Sequence, residues 1–222
     1  MIYIYKAFIL DALDGPKMII IKNNIMLKVF YDLETTGLNP KKNGIHQIAM
    51  LFELDDVVVE KLNFKVKPHP KAKIEDEALK VSGTTREDLL NYLPRDQVYT
   101  SIVTALRKYI SPYDKRDKAH LIGFNNRSFD DDFFYAFFKQ DKESIAGDPF
   151  FYAWFWMCPL DAIVLAHQYL IERRSNMPNF KLATVARELG IPVDDSRLHD
   201  GMYDVLLTRE IYKIVVGLEI EV

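Results

Sequence analysis

Two acidic residues on one predicted strand, Asp32 and Glu34, are the side chains of this 222-residue chain best placed to do chemistry. The apolar residues Leu27, Val29 and Phe30 predict a strand, and Gly37 marks its end. Because side chains alternate along a strand, both carboxylates project from one face. Neighbouring carboxylates repel and raise each other's pKa unless a cation compensates. A site for Mg²⁺ or Mn²⁺ and an ordinary exposed strand face explain the pair equally well.

Composition predicts one folded domain with a substantial core. Hydrophobic residues make up 49% of the chain, which argues against disorder. No apolar run reaches the roughly 20 residues that cross a bilayer, so we expect no membrane partner. The first residues lack the basic start and cleavage site of a signal peptide, and Cys158 is the single cysteine. We therefore expect an intracellular protein, cytoplasmic or nuclear and not secreted, with Cys158 as a buried small hydrophobic residue rather than a catalytic thiol.

The overall charge is weakly acidic. A net charge of −3 argues against broad electrostatic attraction to nucleic acid or acidic membranes. Bound metal ions would neutralise carboxylates and offset this negative charge, so a polyanionic substrate is not excluded. One local basic run suits either a phosphate backbone or, as the favoured interpretation, a solvated face. It consists of Lys65, Lys67, His69, Lys71 and Lys73.

The pattern of elements predicts an N-terminal extension, residues 1–24, and a single domain, residues 25–222. The extension fits a hairpin with strands at 2–10 and 18–22, although 1–13 also fits a short amphipathic helix. In the domain we predict an antiparallel meander first, and alternating strands and helices after it. Strands are predicted through Asp32 and at 45–54, 57–66, 120–124 and 155–158; helices at 74–81, 95–110, 129–138, 161–170, 181–189 and 199–216. This order predicts an α/β fold with a mixed sheet flanked by helices.

A second group of polar residues is the run Gly123-Phe-Asn-Asn-Arg-Ser-Phe-Asp-Asp-Asp132. A short strand ends here and an acid-rich helix begins. The helix macrodipole favours acids at a helix start, which by itself explains three in a row. Successive helix positions point about 100° apart, so only one of the three acids can aim at a metal.

A third group is His199-Asp-Gly-Met-Tyr-Asp204. His199 and Asp204 are five positions apart, so they do not share a helix face, and we place His199 in the loop or first turn. Asp200 is a candidate N-cap. Asp204 lies beside the apolar residues that follow it, where an unpaired acid is costly.

These motifs resemble, in order, those of the DEDDh 3′–5′ exonucleases, which have a ribonuclease H-like fold. The family's first motif resembles Asp32-Leu-Glu-Thr-Thr-Gly37. Its second resembles Asn126-Arg-Ser-Phe-Asp130, and its third resembles His199-Asp-Gly-Met-Tyr-Asp204. The segment Glu77-Ala-Leu-Lys-Val-Ser-Gly83 also resembles the family between its first two motifs. The likeness covers roughly residues 28–216.

Within the family, the exonuclease domain of bacterial exonuclease I is the most similar in its motifs. The likeness lies in Gly123-Phe-Asn-Asn, in Phe129-Asp-Asp and in Phe180-Lys-Leu. One departure is Asn125, where many members carry a histidine. Residues 1–24 match nothing in the family.

The resemblance implies a metal-dependent catalytic centre. It assigns two Mg²⁺ ions, with Mn²⁺ as a substitute, to Asp32, Glu34, Asp130 and Asp204, and it makes His199 the general base. Two metal ions can stabilise the attacking and leaving oxygens of an in-line displacement at phosphorus. A histidine titrates near neutral pH and can accept a proton from the attacking water.

Residues next to the motifs are candidates for contact with the substrate. Gly37 lets the backbone approach a terminal nucleotide, and Leu38 can wedge against its base. The full set of candidates is Thr35, Thr36, Gly37, Leu38, Asn126 and Phe129. Trp154 and Trp156 are candidates for a base-stacking platform, although core packing is the favoured interpretation for at least one of them.

The leading hypothesis is a 3′–5′ exonuclease that releases nucleoside 5′-monophosphates from nucleic acid with a free 3′ end. Single-stranded DNA is favoured over RNA because the second motif is closest to that of exonuclease I. An exoribonuclease with the same site remains an alternative, since nothing in the sequence reads the 2′-hydroxyl recognisably. A second alternative is a nucleic-acid-binding module with weak catalysis, and a binding surface at residues 1–24 is compatible with either.

Overall fold

A computed structural model describes residues 6–10, 17–21, 26–142 and 150–217. Within these ranges, seven strands form two sheets: β1 (Lys6–Leu10), β2 (Lys17–Ile21), β3 (Leu27–Thr35), β4 (Ile45–Leu54), β5 (Val57–Lys65), β6 (His120–Gly123) and β7 (Leu160–Asp161). β1 and β2 pair antiparallel in a sheet of their own. The remaining strands form a mixed sheet in the order β5-β4-β3-β6-β7. The predicted hairpin turn lies outside the described residues, and the division at residue 24 stays a prediction.

Eight helices accompany the strands in the described part of the chain. They are α1 (Asp76–Val81), α2 (Arg86–Asn91), α3 (Arg95–Tyr109), α4 (Asp130–Lys142), α5 (Phe151–Trp154), α6 (Ala162–Tyr169), α7 (Leu182–Glu188) and α8 (Gly201–Val215). Each of these helices is too short or too polar to span a bilayer.

The predicted meander is confirmed, since β3 pairs antiparallel with β4, and β4 with β5. The two parallel pairs, β3 with β6 and β6 with β7, make the sheet mixed, as predicted. The helix α2 was not predicted. Its signal is local: the Thr85 side chain accepts a hydrogen bond from the Asp88 N–H, and the Asp88 carboxylate accepts one from the Thr85 N–H, which makes a capping box.

Two predictions near Cys158 are wrong. In place of the predicted strand at 155–158 there is a single bridge between Phe155 and Ala119; α5 ends just before it, and the strand β7 comes after it. Phe155 is fully buried, but Met157 is 73% exposed, so the chain leaves the sheet before it returns at Leu160. Cys158 is exposed for the same reason, and it is not the buried residue that was expected.

The alternation of side chains along β3 separates two cores. Tyr31 and Leu33 point into the larger core, where Tyr31 stacks on Phe134 of α4 with ring centroids 5.4 Å apart. Phe30 points the other way, into a core that it shares with Val205 of α8. Asp32 and Glu34 continue the α8 face of β3. The sheet thus carries an aromatic helix layer on one side and α8 on the side of the two acids.

Candidate active site

β3 presents Asp32 and Glu34 side by side on one face, as predicted. Both are partly exposed, whereas Leu33 between them is only 5% exposed because it points to the opposite face. Across the antiparallel ladder, Asp32 faces Ala49 and Glu34 faces Gln47. The small side chain of Ala49 leaves space above the sheet at this point.

Asp130 reaches the same sheet edge from the neighbouring strand. β3 and β6 are parallel, so their carboxyl ends meet at one edge of the sheet. After β6 the chain turns sharply, and a Cβ on Gly123 would lie 2.6 Å from the Cβ of Asn126. Asp130 then begins α4 and is 7% exposed, and the backbone N–H groups of Asp130 and Leu33 lie close enough to its carboxylate to oppose the rise in its pKa. The start of α4 therefore lies beside the strand that carries the first two acids.

Helix α8 carries the fourth acid, Asp204, and places it against the face of β3 that presents Asp32 and Glu34. Asp200 caps the helix, accepting hydrogen bonds from the N–H groups of Met202 and Tyr203. Asp204 lies one turn into the helix and is 9% exposed. Gly201 allows the approach, since a Cβ there would lie 3.2 Å from the Cβ of Ala49. The predictions of an Asp200 cap and of a helical Asp204 are confirmed.

His199 lies in the loop before α8, outside the helix, as its spacing from Asp204 predicted. Its side chain is exposed, and its backbone adopts the left-handed conformation with φ of 68°. The backbone N–H of His199 donates to Oδ2 of Asp204 at 3.2 Å. The imidazole is therefore attached to the edge of the acidic cluster while its ring stays accessible to solvent.

The electrostatics show that the four carboxylates share one site. Burial raises the pKa of Asp32 well above its usual range, and repulsion from Asp130, Glu34 and Asp204 raises it further. Burial and the charge of Asp131, with a smaller effect of Glu34, raise the pKa of Asp130 well above its usual range. Asp32 thus becomes harder to ionise because the other three acids are close.

The remaining two acids titrate within the physiological range. Burial and the charge of Asp204 raise the pKa of Glu34 to about 7, although the ammonium of Lys65 opposes the shift. Burial raises the pKa of Asp204 to about 6, while the His199 N–H bond opposes the increase. A buried acid cluster of this kind has one ready source of stabilisation, a bound cation.

The residues present fit a hard divalent cation. Oδ1 of Asp204 is buried and has no hydrogen-bond partner among the described residues. Carboxylate oxygens are the ligands that Mg²⁺ and Mn²⁺ prefer. In the described ranges, no three His, Cys, Asp or Glu side chains lie close enough together to coordinate one metal ion as they stand. The carboxylates act on one another through their charges, and a bound ion would have to draw them closer.

The loop after β3 has one exposed residue and several buried ones. Leu38 is 80% exposed at the edge of the site, which suits the predicted wedge. Thr36 is fully buried, and its hydroxyl donates to the carbonyl of Lys73 at 2.7 Å and accepts from the N–H of Gly44 at 3.0 Å. The Thr35 hydroxyl donates to the carbonyl of Gly37 at 2.8 Å. Both threonine hydroxyls thus hold the loop that presents Leu38.

Gly37 is required by its surroundings. Its φ is 156°, and a Cβ would lie 2.3 Å from Nδ2 of Asn43. Asn43 in turn donates from that nitrogen to the carbonyls of Thr36 and Lys73, at 3.2 and 2.9 Å. The close approach of the Asn43 amide therefore sets the shape of the loop.

Asn126 and Phe129 are both placed close to the acidic cluster. Asn126 is fully buried, and its Nδ2 donates to Oδ1 of Asp131 at 3.0 Å and to the Tyr31 hydroxyl at 3.4 Å. Its Oδ1 is buried without a hydrogen-bond partner in the described part of the chain. Phe129 is partly buried and packs on Phe133, with ring centroids 5.0 Å apart. Contact with substrate remains a prediction for both residues.

Several supporting residues were missed by the sequence reasoning. The Tyr31 hydroxyl donates a short hydrogen bond to Asp131, and both contact Asn126. Asp161 accepts from the N–H of Asn125 at 2.8 Å, and so holds the turn before Asp130. The run of three acids was a usable signal for Asp131, but the helix macrodipole explained it equally well. Nothing local connects Asp161 to residues 36 positions earlier.

The basic and tryptophan candidates have mixed outcomes. The basic run is largely exposed, as the favoured interpretation predicted, but Lys65 also donates to Oε1 of Gln47 at 2.5 Å and influences Glu34. Trp154 is fully buried and belongs to the core, so the prediction that it forms part of a base-stacking platform is wrong. Trp156 is partly exposed beside His120, with ring centroids 5.9 Å apart.

Comparison with known proteins assigns the chain that carries this site to a family. The model of the Exonuclease family matches residues 29–212, which include all four acids and His199. The chain belongs to the Exonuclease family. It is an exonuclease of the DEDDh 3′–5′ type and acts on nucleic acid, as its motifs predicted.

The sequence relatives of this exonuclease include ribonuclease T. Ribonuclease T of Yersinia pestis is 28% identical over 194 residues, covering 83% of this chain and 81% of the relative. The PolC-type DNA polymerase III of Mycoplasmopsis pulmonis is 27% identical over 184 residues, covering 83% of this chain and 11% of the polymerase.

Solved structures of exonuclease I share the fold. One is 23% identical with a TM-score of 0.67, and the match covers 87% of this exonuclease and 41% of exonuclease I. A zinc-bound complex of E. coli exonuclease I with single-stranded DNA matches with 22% identity and the same TM-score and coverage. The ribonuclease H-like fold is thereby confirmed. The chain spans about two fifths of the length of exonuclease I.

Proposed function

We propose that this exonuclease removes nucleoside 5′-monophosphates from the 3′ end of single-stranded DNA and that it uses two Mg²⁺ ions. In this proposal Asp32, Glu34, Asp130 and Asp204 hold the ions, and Mn²⁺ can replace Mg²⁺. When bound, the ions supply charge stabilisation for the attacking and leaving oxygens at phosphorus.

The observation that carries the proposal is the mutual electrostatic effect of the four carboxylates. They come from three separate parts of the chain, yet the pKa of Asp32 is raised by the charges of all the other three as well as by burial. Burial of several like charges without a compensating group is costly. A fold that maintains such a cluster is well suited to concentrate positive charge where a phosphodiester is cut.

His199 is proposed as the general base. Its ring is exposed on the loop beside Asp204, where it can reach solvent and accept a proton from the attacking water. The backbone bond to Asp204 fixes the position of the loop but leaves the ring free to turn. Leu38 is proposed to separate the terminal base from the next one, and the threonine hydroxyls to hold Leu38 in position.

DNA is the preferred substrate because the second motif and the fold both resemble exonuclease I. E. coli exonuclease I has been solved in complex with dT13 and dA16 oligonucleotides. The run Gly123-Phe-Asn-Asn, together with Phe129-Asp-Asp, resembles the second motif of that enzyme.

RNA is the second candidate, and a specific observation favours it. Relatives that match most of both chains include proteins named ribonuclease T, and the alignment with the Yersinia pestis protein covers 81% of that relative. In the proposed reaction the acidic cluster holds the ions next to a phosphodiester. Both nucleic acids contain this group, so the site chemistry fits either substrate.

One panel of substrates tests the function. Single- and double-stranded DNA and RNA, labelled at the 5′ or 3′ end, are incubated with Mg²⁺, with Mn²⁺ or with a chelator. We expect shortening from the 3′ end, fastest on single-stranded DNA, and no cleavage in the chelator. Faster loss of matched RNA would favour the second candidate.

An Asp204→Asn variant provides the control for contaminating nucleases. It removes a charge but keeps the size of the side chain at the buried position. Cleavage by the wild type that is no faster than by this variant would refute the catalytic proposal. Tight binding without cleavage would then favour a binding module.

A further inference from the structure

A groove of about 430 Å³ lies beside α6, away from the four carboxylates. Its lining residues are Ile163, Val164, His167, Gln168, Arg174 and Phe180. Its volume falls within the range of about 300–1,000 Å³ that is usual for ligand sites. We infer that this groove binds a nucleotide of the substrate strand on the 5′ side of the scissile end. The inference rests on the proposed function, because it concerns the same strand.

The groove offers a surface on which a base can stack. Phe180 is partly exposed, and the ring of His167 meets it edge-on with centroids 5.4 Å apart. The guanidinium of Arg174 lies 5.1 Å from the Phe180 centroid. Val164, 59% exposed, adds an apolar wall. Aromatic rings and arginine planes are the surfaces on which proteins stack unpaired bases, largely regardless of base identity.

Arg174 also brings a positive charge that suits a phosphate. In the described ranges no carboxylate pairs with it, and its one hydrogen bond there is a long one, 3.5 Å, to the carbonyl of Met177. The neighbouring Arg173 differs, since it forms an ion pair with Glu188 at 3.5 Å. A guanidinium that lies over a ring and lacks a carboxylate can donate to phosphate oxygens.

The groove is structurally connected to the acidic cluster. Asp161 Oδ1 accepts from the N–H of Ile163 at 3.2 Å and from that of Asn125 at 2.8 Å, so one carboxylate holds both the groove wall and the turn before Asp130. On its other side, Phe180 packs against the core that contains Tyr203, which precedes Asp204.

The spacing along α6 fits a short length of strand. His167 lies six residues after Asp161, which is about 9 Å along a helix. Stacked nucleotides advance about 3.4 Å each, so two or three nucleotides cover this distance. A strand that leaves the turn held by Asp161 and follows α6 would therefore need two or three nucleotides to reach the His167–Phe180 pair.

Two groove variants and one matched control test the inference. Phe180→Leu keeps an apolar side chain in the core but removes the ring, and Arg174→Gln removes the charge. Arg173→Gln removes the same charge one residue away, outside the groove. Initial rates are measured on a dinucleotide and on a ten-nucleotide strand of the preferred nucleic acid.

We expect both groove variants to raise KM for the longer strand by about 10-fold, in line with the loss of one stacked base or phosphate contact. Their kcat on the longer strand and their rate on the dinucleotide should match the wild type, because the dinucleotide does not reach the groove. Arg173→Gln should match the wild type on both substrates.

Unchanged KM for the longer strand in both groove variants overturns the inference, and so does an equal loss on the dinucleotide. Binding of a fluorescent ten-nucleotide strand in chelator, followed by anisotropy, separates this inference from the proposed function. If the wild type binds the strand but cuts nothing, the proposed catalytic function is wrong, and the effect of the groove variants on binding still tests the groove. Equal binding by the wild type and both groove variants then counts against the groove itself.

Discussion

The backbone N–H of His199 donates to Oδ2 of Asp204, so the residue proposed as the base is joined to the last acid of the cluster through its main chain. His199 adopts a left-handed conformation, with φ of 68°, to make this contact. The relationship separates two roles of one residue. The backbone shapes the site, while the imidazole remains available for chemistry.

That separation gives a clean test of the base. Asparagine tolerates the left-handed conformation well, so His199→Asn should keep the fold and the bond to Asp204. We expect kcat to fall by about 100- to 10,000-fold, with little change in melting temperature. Steady-state cleavage of a labelled oligonucleotide and thermal denaturation measure the two effects. Near-normal kcat in His199→Asn would assign the proton transfer to another group.

The raised pKa values predict how stability depends on pH without metal. The pKa of Glu34 is about 7 in the folded protein, against an ordinary value of 4.5, because of burial and the Asp204 charge. The folded state therefore binds more protons than the unfolded state between these values. This contribution to stability is complete below pH 4.5 and is lost as pH rises through about 7.

In chelator, the melting temperature should therefore fall between pH 5 and pH 8, by at least about 3 °C. Mg²⁺ should remove most of this decline, because a cation stabilises the ionised carboxylates. Glu34→Gln should weaken both effects. A melting temperature in chelator that rises steadily over the same range would contradict the electrostatic description of the cluster.

The hydrogen bonds of Asp131 predict a positioning role next to the site. Asp131→Ala leaves the Tyr31 hydroxyl and the Asn126 amide without their acceptor in a buried region. We expect a loss of about 1–3 kcal/mol in the free energy of unfolding, with a lower kcat as Asn126 is freed. Asp131→Asn, which retains an acceptor oxygen, should recover much of both. Urea denaturation and cleavage rates give the two readouts, and unchanged values in Asp131→Ala would rule out the role.

A buried ion network behind the site predicts a large effect on stability. Glu53 is fully buried and accepts from Lys28 at 3.1 Å and from Arg209 at 2.5 Å. Glu53→Ala leaves both cations without this partner and should cost about 3–5 kcal/mol in the free energy of unfolding. Asp195→Ala removes an exposed partner of Arg187 and should cost at most about 1 kcal/mol. Equal losses in the two variants would show that burial does not control the strength of these pairs.

The sequence was informative where a residue's role depends on its near neighbours. Alternation along β3 placed Asp32 and Glu34 on one face, and the spacing of His199 and Asp204 separated a loop residue from a helical one. The antiparallel meander followed from apolar runs and a short turn. In each case the deciding interactions lie within a few residues or in an adjacent strand.

Predictions failed where the deciding contact is distant in sequence. Cys158 was expected to be buried from its residue type, but its exposure depends on the chain leaving the sheet after Phe155. Asp161 was predicted only as the first residue of a helix, yet its side chain also holds the turn at Asn125. Tertiary contacts of this kind leave no periodic pattern, so composition and spacing carry no sign of them.

The late position of α8 in the chain has a consequence for biosynthesis. A chain emerging from the ribosome has β3 and β6 available long before Asp204 and His199 are made. Phe30 and the rest of the α8 face of β3 stay uncovered until that helix docks, and the constellation lacks its fourth carboxylate until then. We therefore expect a nascent chain of this design to gain cleavage activity only after almost the whole domain has been synthesised.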